Sequence, residues 1–212
     1  MVFNEVNKIF VMPKTTLKRT VSKTSSKPSN SKSNGKQEGK PSAKEFSRQF
    51  PTDADSSLQE LFVSGLREIY WCENHLVKSI PKMVTAAGSN KLRQALEEHV
   101  EVTKNHAARL EKAFEMLHEK IVAKKCDACE GLTMSSEHVI ENTKQGSPTR
   151  DTAIIMSALK VENFEITTYK GLIQLASSLG TKDVLKLLQQ NLDEEAEASD
   201  LLTELSYMEE AA

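Results

Sequence analysis

Carboxylates and imidazoles interrupt the apolar stripes of this chain at positions that point inward. Residues three or four apart lie on one face of a helix, so an apolar series at that spacing marks a buried face. A charged side chain there is costly unless it is paired. The residues that interrupt such series, lie at their edge or adjoin them are Glu73, His99, His106, Glu162, Glu165, Asn191, Glu194 and Glu195.

These residue types suit a transition-metal site. Taken singly, an inward Glu more often reaches outward to solvent and a lone His is more often a satisfied core group. Four helices that each supply an acid or an imidazole favour another explanation. Converging buried carboxylates repel one another unless a multivalent cation neutralises them, and carboxylates with imidazoles suit iron or manganese. We therefore expect a site for two iron or manganese ions.

Four apolar series predict the helices that position these side chains. They run through positions 58–80, 92–113, 154–176 and 184–205, each advancing by three or four residues. A weaker pattern between Lys120 and Gly146 predicts a shorter helix inside a long crossover. The predicted N-cap of the first helix is Asp53, Asp55 or Ser56, and the second helix follows Gly88, Ser89 and Asn90. Asp151 or Thr152 is the predicted cap of the third helix, and Gly180 is its predicted stop. The fourth helix is predicted to start after Thr181 and Asp183.

This order of elements predicts an all-α, ferritin-like four-helix bundle. An ordinary up-and-down bundle is the alternative. With 212 residues, 38% hydrophobic and 5% aromatic, the chain fits one helical domain. We place this domain at residues 54–212.

Residues 1–53 are predicted to form a disordered tail, because the segment from Lys14 to Ser47 is almost without apolar side chains. Residues 1–50 hold 11 Lys and Arg against 3 Asp and Glu, whereas the rest of the chain holds 17 against 27. Such a basic arm can contact an anionic partner, although a solvated linker has the same composition. Met12 is an alternative start of translation.

The chain carries no apolar run of about 18 residues, and its first twelve residues do not resemble a signal peptide. We therefore expect a cytoplasmic protein without a membrane partner. Its three cysteines, Cys72, Cys126 and Cys129, are expected to be free thiols. The CxxC of Cys126 and Cys129 has no second pair, which argues against zinc.

Several segments resemble the YciE/YciF stress-protein family over about residues 57–207. They read YWCENHL, EEHVEVTKNHAARLEKAF, KKCDACEGL, KVENFEITTY and LDEEAEASDLLTEL. The resemblance implies a ferritin-like fold similar to that of rubrerythrins, a link to bacterial stress and a di-metal site without an established reaction. By position, the ligands it implies are Glu73, Glu162, Glu165, Glu194 and Glu195.

The second helix departs from that family. Relatives often have His-x-x-Glu-Thr followed by Gln, whereas here His99 is followed by Val102, Thr103 and then His106. His106 could replace the Gln as a nitrogen ligand, with His99 a ligand or an outer donor, or the site could be degraded. Ser199 also stands where an acid is common.

Two functions fit these residues. The first is a stress-response protein with a di-metal centre that consumes peroxide or oxygen. The second is a helical homodimer that acts as a scaffold without catalysis, whose basic tail binds nucleic acid. The sequence does not decide whether the protein is an enzyme.

Overall fold

The computed structural model describes residues 54–210, with side chains for residues 57–207. The predicted tail and the alternative start at Met12 lie outside the described residues. Within 54–210 the chain forms helices and no strand. The helices are α1 (Ala54–Ala86), α2 (Asn90–Met116), α3 (Asp127–Glu141), α4 (Pro148–Ser178) and α5 (Lys182–Glu210).

The four long helices form a closed bundle. α1 packs on α2 and α4, and α5 packs on α4 and α2, so each long helix has two long neighbours. The short α3 lies in the crossover from α2 to α4 and packs on α4 and α1. This arrangement confirms the predicted four-helix bundle with a short extra helix in its crossover.

The core follows the predicted stripes, because their apolar members turn toward the bundle axis. Phe62, Ile69, Leu110, Ile154 and Leu188 are each at most 1% exposed. Leu58 was expected to begin the first stripe, but it is 37% exposed. The buried face of α1 therefore begins one turn later.

The predicted cap of α4 is wrong. Ser147 is the N-cap, and its hydroxyl accepts the backbone N–H of Arg150 at 3.2 Å. Pro148 follows as the first helical residue, where its missing N–H costs nothing. The carboxylate of Asp151 instead accepts the N–H groups of Gly88 at 2.8 Å and Ser89 at 2.6 Å. Asp151 thus fastens the start of α4 to the turn between α1 and α2.

Gly180 ends α4 as predicted. Its φ of 71° lies in the left-handed region that favours glycine. The N–H of Thr181 bonds to the carbonyl of Ala176 at 3.0 Å and that of Gly180 to Ser177 at 3.2 Å. These two bonds form a Schellman motif, which lets α5 turn back along α4.

The crossover is fastened to α1 by polar and covalent contacts. Arg67 pairs with Glu119 at 3.1 Å, and the backbone N–H of Lys124 donates to the carbonyl of Arg67 at 3.0 Å. A disulfide joins Cys72 of α1 to Cys129 of α3. The expectation of three free thiols therefore holds for Cys126 alone, because spacing along the chain does not show which cysteines meet in the fold.

Candidate metal centre

Glu73 and His106 form the first half of a polar cluster at mid-bundle. Both side chains are fully buried. Nδ1 of His106 lies 3.5 Å from Oε2 of Glu73 and 2.9 Å from Oε1 of Glu195. Three helices, α1, α2 and α5, therefore bring three potential ligands to one point.

His99 and Glu162 form the second half. Nε2 of His99 lies 3.3 Å from Oε1 of Glu162, and the side chain of His99 is 11% exposed. Two groups of three residues each have potential ligand atoms within 4.8 Å of one another. One group is His99, Glu162 and Glu195, and the other is Glu73, His106 and Glu195. Glu195 belongs to both groups, so two adjacent three-residue sites share one carboxylate.

Glu165 is fully buried, and neither of its carboxylate oxygens makes a hydrogen bond. It lies one turn after Glu162 on α4. Burial raises the pKa of Glu165 well above its usual range, with further increases from the nearby charges of Glu195 and Glu73. Its carboxyl group therefore belongs electrostatically to the same cluster.

Glu194 lies behind His106, outside both three-residue groups. Nε2 of His106 donates to Oε2 of Glu194 at 3.0 Å. Arg109 holds that carboxylate with two bonds, at 2.8 Å and 2.7 Å. Hydrogen bonding of a metal-binding imidazole to an outer carboxylate is a common way to fix its orientation. The structure thus separates Glu194 from the other predicted ligands.

Tyr169 and Asn191 complete the support of the first half. The buried hydroxyl of Tyr169 donates to Oε1 of Glu73. Nδ2 of Asn191 donates to that hydroxyl at 2.9 Å and to the backbone carbonyl of His106 at 3.3 Å. Arg109 donates to Oδ1 of Asn191 at 3.0 Å. One hydrogen-bonded network therefore orients both Glu73 and His106.

The pKa values show how the cluster distributes charge. Burial alone would lower the pKa of His106, but its pairing with Glu195 and Glu73 raises it to about 10. Burial alone would likewise raise the pKa of Glu195, but His106 brings it below the usual range. Burial raises the pKa of Glu162 well above normal and lowers that of His99. The pair of His106 and Glu195 is thus ionic, whereas burial shifts Glu73, Glu162 and His99 toward their neutral forms by changing the pKa of each.

A surface groove of about 220 Å³ reaches the second half. It runs between α2 and α5, and its lining includes His99, Val102 and Glu194. Val102 stands where an acid was expected from the resemblance, and it contributes an apolar wall. The groove gives small molecules an approach to the edge of the cluster.

The predicted site residues therefore fall into three groups. The structure brings together Glu73, His99, His106, Glu162 and Glu195, places Glu165 beside them, and separates Glu194. Arg109 was missed. It lies three residues after His106, a spacing that puts both on one helix face, and this could have identified it as a partner.

The fold and the cluster define a ferritin-like helical bundle with a core of carboxylates and histidines. Residues 57–211 match the family described as "Domain of unknown function (DUF892)". The chain belongs to this family, which confirms the resemblance given by its sequence motifs.

Two relatives cover most of this chain. It is 35% identical to Protein YciF of Escherichia coli K12 over 151 residues, which is 71% of this chain and 90% of YciF. The crystal structure of the E. coli stress protein YciF matches this fold with a TM-score of 0.69 at 35% identity, and the match covers 72% of this chain and 96% of the YciF chain. YcfI of Rhodopseudomonas palustris, assigned provisionally as a structural protein, matches with a TM-score of 0.68 at 32% identity. This match covers 73% of this chain and 98% of the YcfI chain.

In the described part of the chain, no helix is both long and apolar enough to cross a membrane.

Proposed function

We propose that this chain binds two iron or manganese ions at mid-bundle and acts in a stress response by consuming peroxide or oxygen. The observation that carries the proposal is a set of buried atoms that make no hydrogen bond of good geometry, although Nδ1 of His106 lies within ion-pair distance of Glu195 and Glu73. They are Oε2 of Glu73, Nδ1 of His106, Oε2 of Glu162, and both carboxylate oxygens of Glu165 and Glu195. Buried polar atoms are nearly always bonded, so a group of them calls for an explanation.

A pair of cations fits these atoms in number and in kind. Oxygen and imidazole nitrogen donors from four helices suit iron and manganese, and the cations would offset the repulsion among the buried carboxylates. Glu195 would serve both ions because it belongs to both groups. Glu165 would complete the set from α4.

Each half would contribute one histidine and one terminal carboxylate. Glu73 with Nδ1 of His106 would hold one ion, and Glu162 with Nε2 of His99 the other. Binding requires Nδ1 of His106 and the carboxyl groups of Glu162 and Glu165 to release protons, so affinity should rise with pH. Glu194 would keep Nε2 of His106 as a donor and thereby fix the ring.

When bound, such ions would supply one-electron redox cycling for the reduction of peroxide or oxygen. The groove beside His99 would admit so small a substrate to the second half. The apolar wall at Val102 would limit the entry of larger polar molecules. The stress role is inferred from the similarity of this chain to YciF, which is a stress protein.

Metal content tests the proposal directly. The purified chain is loaded anaerobically with Fe(II) or Mn(II), desalted and measured by elemental mass spectrometry. We expect about two ions per chain, because two groups of ligands share Glu195. Glu195→Gln should lose both, whereas Glu204→Gln, at an exposed position on the same helix, should retain them.

Wild-type protein that holds neither metal after loading would disprove the proposal. If Glu204→Gln loses metal as readily as Glu195→Gln, surface acids bind the ions and the buried cluster does not. For protein that holds metal, consumption of hydrogen peroxide and of oxygen is then measured, and no increase over metal-free protein with either substrate would disprove the catalytic part.

A scaffold function is the second candidate. The excess of basic residues in 1–50 supports contact with nucleic acid, and YcfI is assigned provisionally as a structural protein. Under this proposal the chain forms a homodimer, and its tail binds phosphates. Binding to duplex DNA should then weaken steeply with salt. Equal binding after deletion of residues 1–50 would contradict it.

A further inference from the structure

The three cysteines of the chain meet at the junction of α1 and α3. Cys72 and Cys129 form a disulfide that spans 57 residues of sequence, with their Cα atoms 6.0 Å apart. Cys126 is the one remaining cysteine of the sequence, and it is a buried free thiol. Its side chain is 7% exposed and belongs to the apolar core.

The thiol of Cys126 lies on the same helical turn as the disulfide. Cys126 is the N-cap of α3, and Cys129 is the third residue of that helix. The sulfur of Cys126 accepts the backbone N–H of Cys129 at 3.5 Å. An N-cap side chain folds back over the first turn in this way, so the Cys126 sulfur lies at the backbone N–H of the residue that carries one of the disulfide sulfurs.

We propose that these cysteines form a thiol–disulfide exchange site. The thiol of Cys126 replaces Cys72 as the partner of Cys129, so the Cys72–Cys129 disulfide becomes a Cys126–Cys129 disulfide. Thiolates attack disulfide sulfurs and displace one partner, and the rate depends on access. Cys72 and Cys129 are fully buried. A thiol of the same helical turn therefore has the access that large external thiols lack.

The exchange balances without an oxidant or a reductant. The deprotonated sulfur of Cys126 attacks the sulfur of Cys129, and a Cys126–Cys129 bond forms as the Cys72–Cys129 bond breaks. Cys72 leaves as a thiolate and takes up the proton that Cys126 released. The chain holds one disulfide and one thiol before and after the step.

The two disulfides differ in what they connect. The bond to Cys72 joins α3 to α1 at the residue that precedes Glu73, whereas the bond to Cys126 lies within one turn. After exchange, α3 is still fastened to α1 by the hydrogen bond between His75 and Thr133 at 2.8 Å. The site would thus loosen the crossover beside Glu73 without unfolding it, whether or not metal is bound.

Peptide mapping tests the proposal on the full-length chain. The protein is treated with one equivalent of diamide, incubated at neutral pH, quenched with acid and labelled with N-ethylmaleimide under denaturing conditions. Digestion with Asp-N and Glu-C places the cysteines on separate peptides, residues 69–73, 120–126 and 127–130. We expect the label to shift with time from 120–126 toward 69–73, while 127–130 stays disulfide-linked.

Two variants serve as controls, and helix content by circular dichroism checks that they fold. Cys126→Ser should keep the Cys72–Cys129 bond and lose all labelling of Cys72. Cys72→Ser should form the Cys126–Cys129 bond on oxidation. The proposal is wrong if wild-type protein is labelled at Cys126 alone at every time, if it forms no disulfide with diamide, or if folded Cys72→Ser forms none.

Discussion

The two halves of the polar cluster differ in how firmly the protein holds them. In the first half, Tyr169, Glu194 and Asn191 hydrogen-bond to Glu73 and His106. In the second half, His99 and Glu162 contact each other at 3.3 Å, and Glu162 also interacts with Glu195 of the cluster itself. The first half contains the ionic pair of His106 and Glu195, whereas His99 in the second half lines the groove and pairs with Glu162, and burial favours the neutral form of each.

This difference indicates separate roles for similar ligand sets. A preorganised ion site holds its ligands through outer hydrogen bonds, and their loss weakens metal affinity. A half whose ligands interact mainly with one another and lie beside a solvent groove can rearrange more easily. We therefore expect the Glu73–His106 half to bind a cation more tightly than the His99–Glu162 half.

The largest effect should come from the two histidines, replaced one at a time. His106→Leu leaves the carboxylates of Glu73 and Glu195 buried without their cation, so it should cost about 3–5 kcal/mol of unfolding free energy. His99→Leu removes a contact between nearly neutral groups and should cost about 1 kcal/mol. Urea unfolding in EDTA measures both, and equal losses would abolish the proposed distinction.

Removal of the Glu165 carboxyl group should stabilise the protein in EDTA. Glu165→Met replaces a buried acid without hydrogen bonds by an apolar side chain of similar size, so the gain should be about 1–3 kcal/mol. The same variant should bind less metal. Matched urea unfolding and elemental analysis check the two results together, and a destabilised variant would show that Glu165 has a partner in solution.

The pH dependence of stability should separate the ion pairs of His106 from the buried acid Glu165. The pKa of His106 is raised from 6.5 to about 10, so its stabilising contribution is complete below pH 6.5 and is lost as pH rises toward 10. The loss should approach about 1.4 kcal/mol per pH unit. Urea unfolding of wild type and His106→Leu in EDTA should therefore converge over this range.

Glu165 should change the stability of the protein over a different pH range. Its pKa is raised well above 4.5, so folding favours the protonated acid, and this contribution is lost as pH rises above 4.5. The advantage of Glu165→Met over wild type should therefore grow with pH from about 4.5 upward. An advantage that stays constant from pH 4 to 8 would contradict the raised pKa.

The smallest effect should come from the support of Glu73. Tyr169→Phe removes the hydroxyl that bonds to Glu73 and should cost about 1 kcal/mol. Tyr70→Phe is the matched control, because its hydroxyl bonds to Glu111 at an exposed position, and it should cost less than about 0.5 kcal/mol. Thermal unfolding in EDTA compares them, and equal costs would remove Tyr169 from the supporting network.

The bundle could be predicted from the sequence because apolar periodicity and glycine punctuation are local signals. Gly180 has the positive φ that a helix stop requires, and each predicted stripe lies within one helix. The prediction of Asp151 as the cap was wrong because several residues near Ser147 can serve as caps. Only the fold shows that Asp151 accepts the N–H groups of the turn between α1 and α2.

The sequence by itself determined that acids and imidazoles lie on the inner faces of four helices, since period and residue type suffice for that. Only the tertiary structure decided that Glu195 is shared by two groups and that Glu194, its neighbour, lies behind His106 with Arg109. It also paired Cys72 with Cys129. The reason is physical: periodicity fixes the direction of a side chain, whereas the rotation and depth at which helices pack fix its partners.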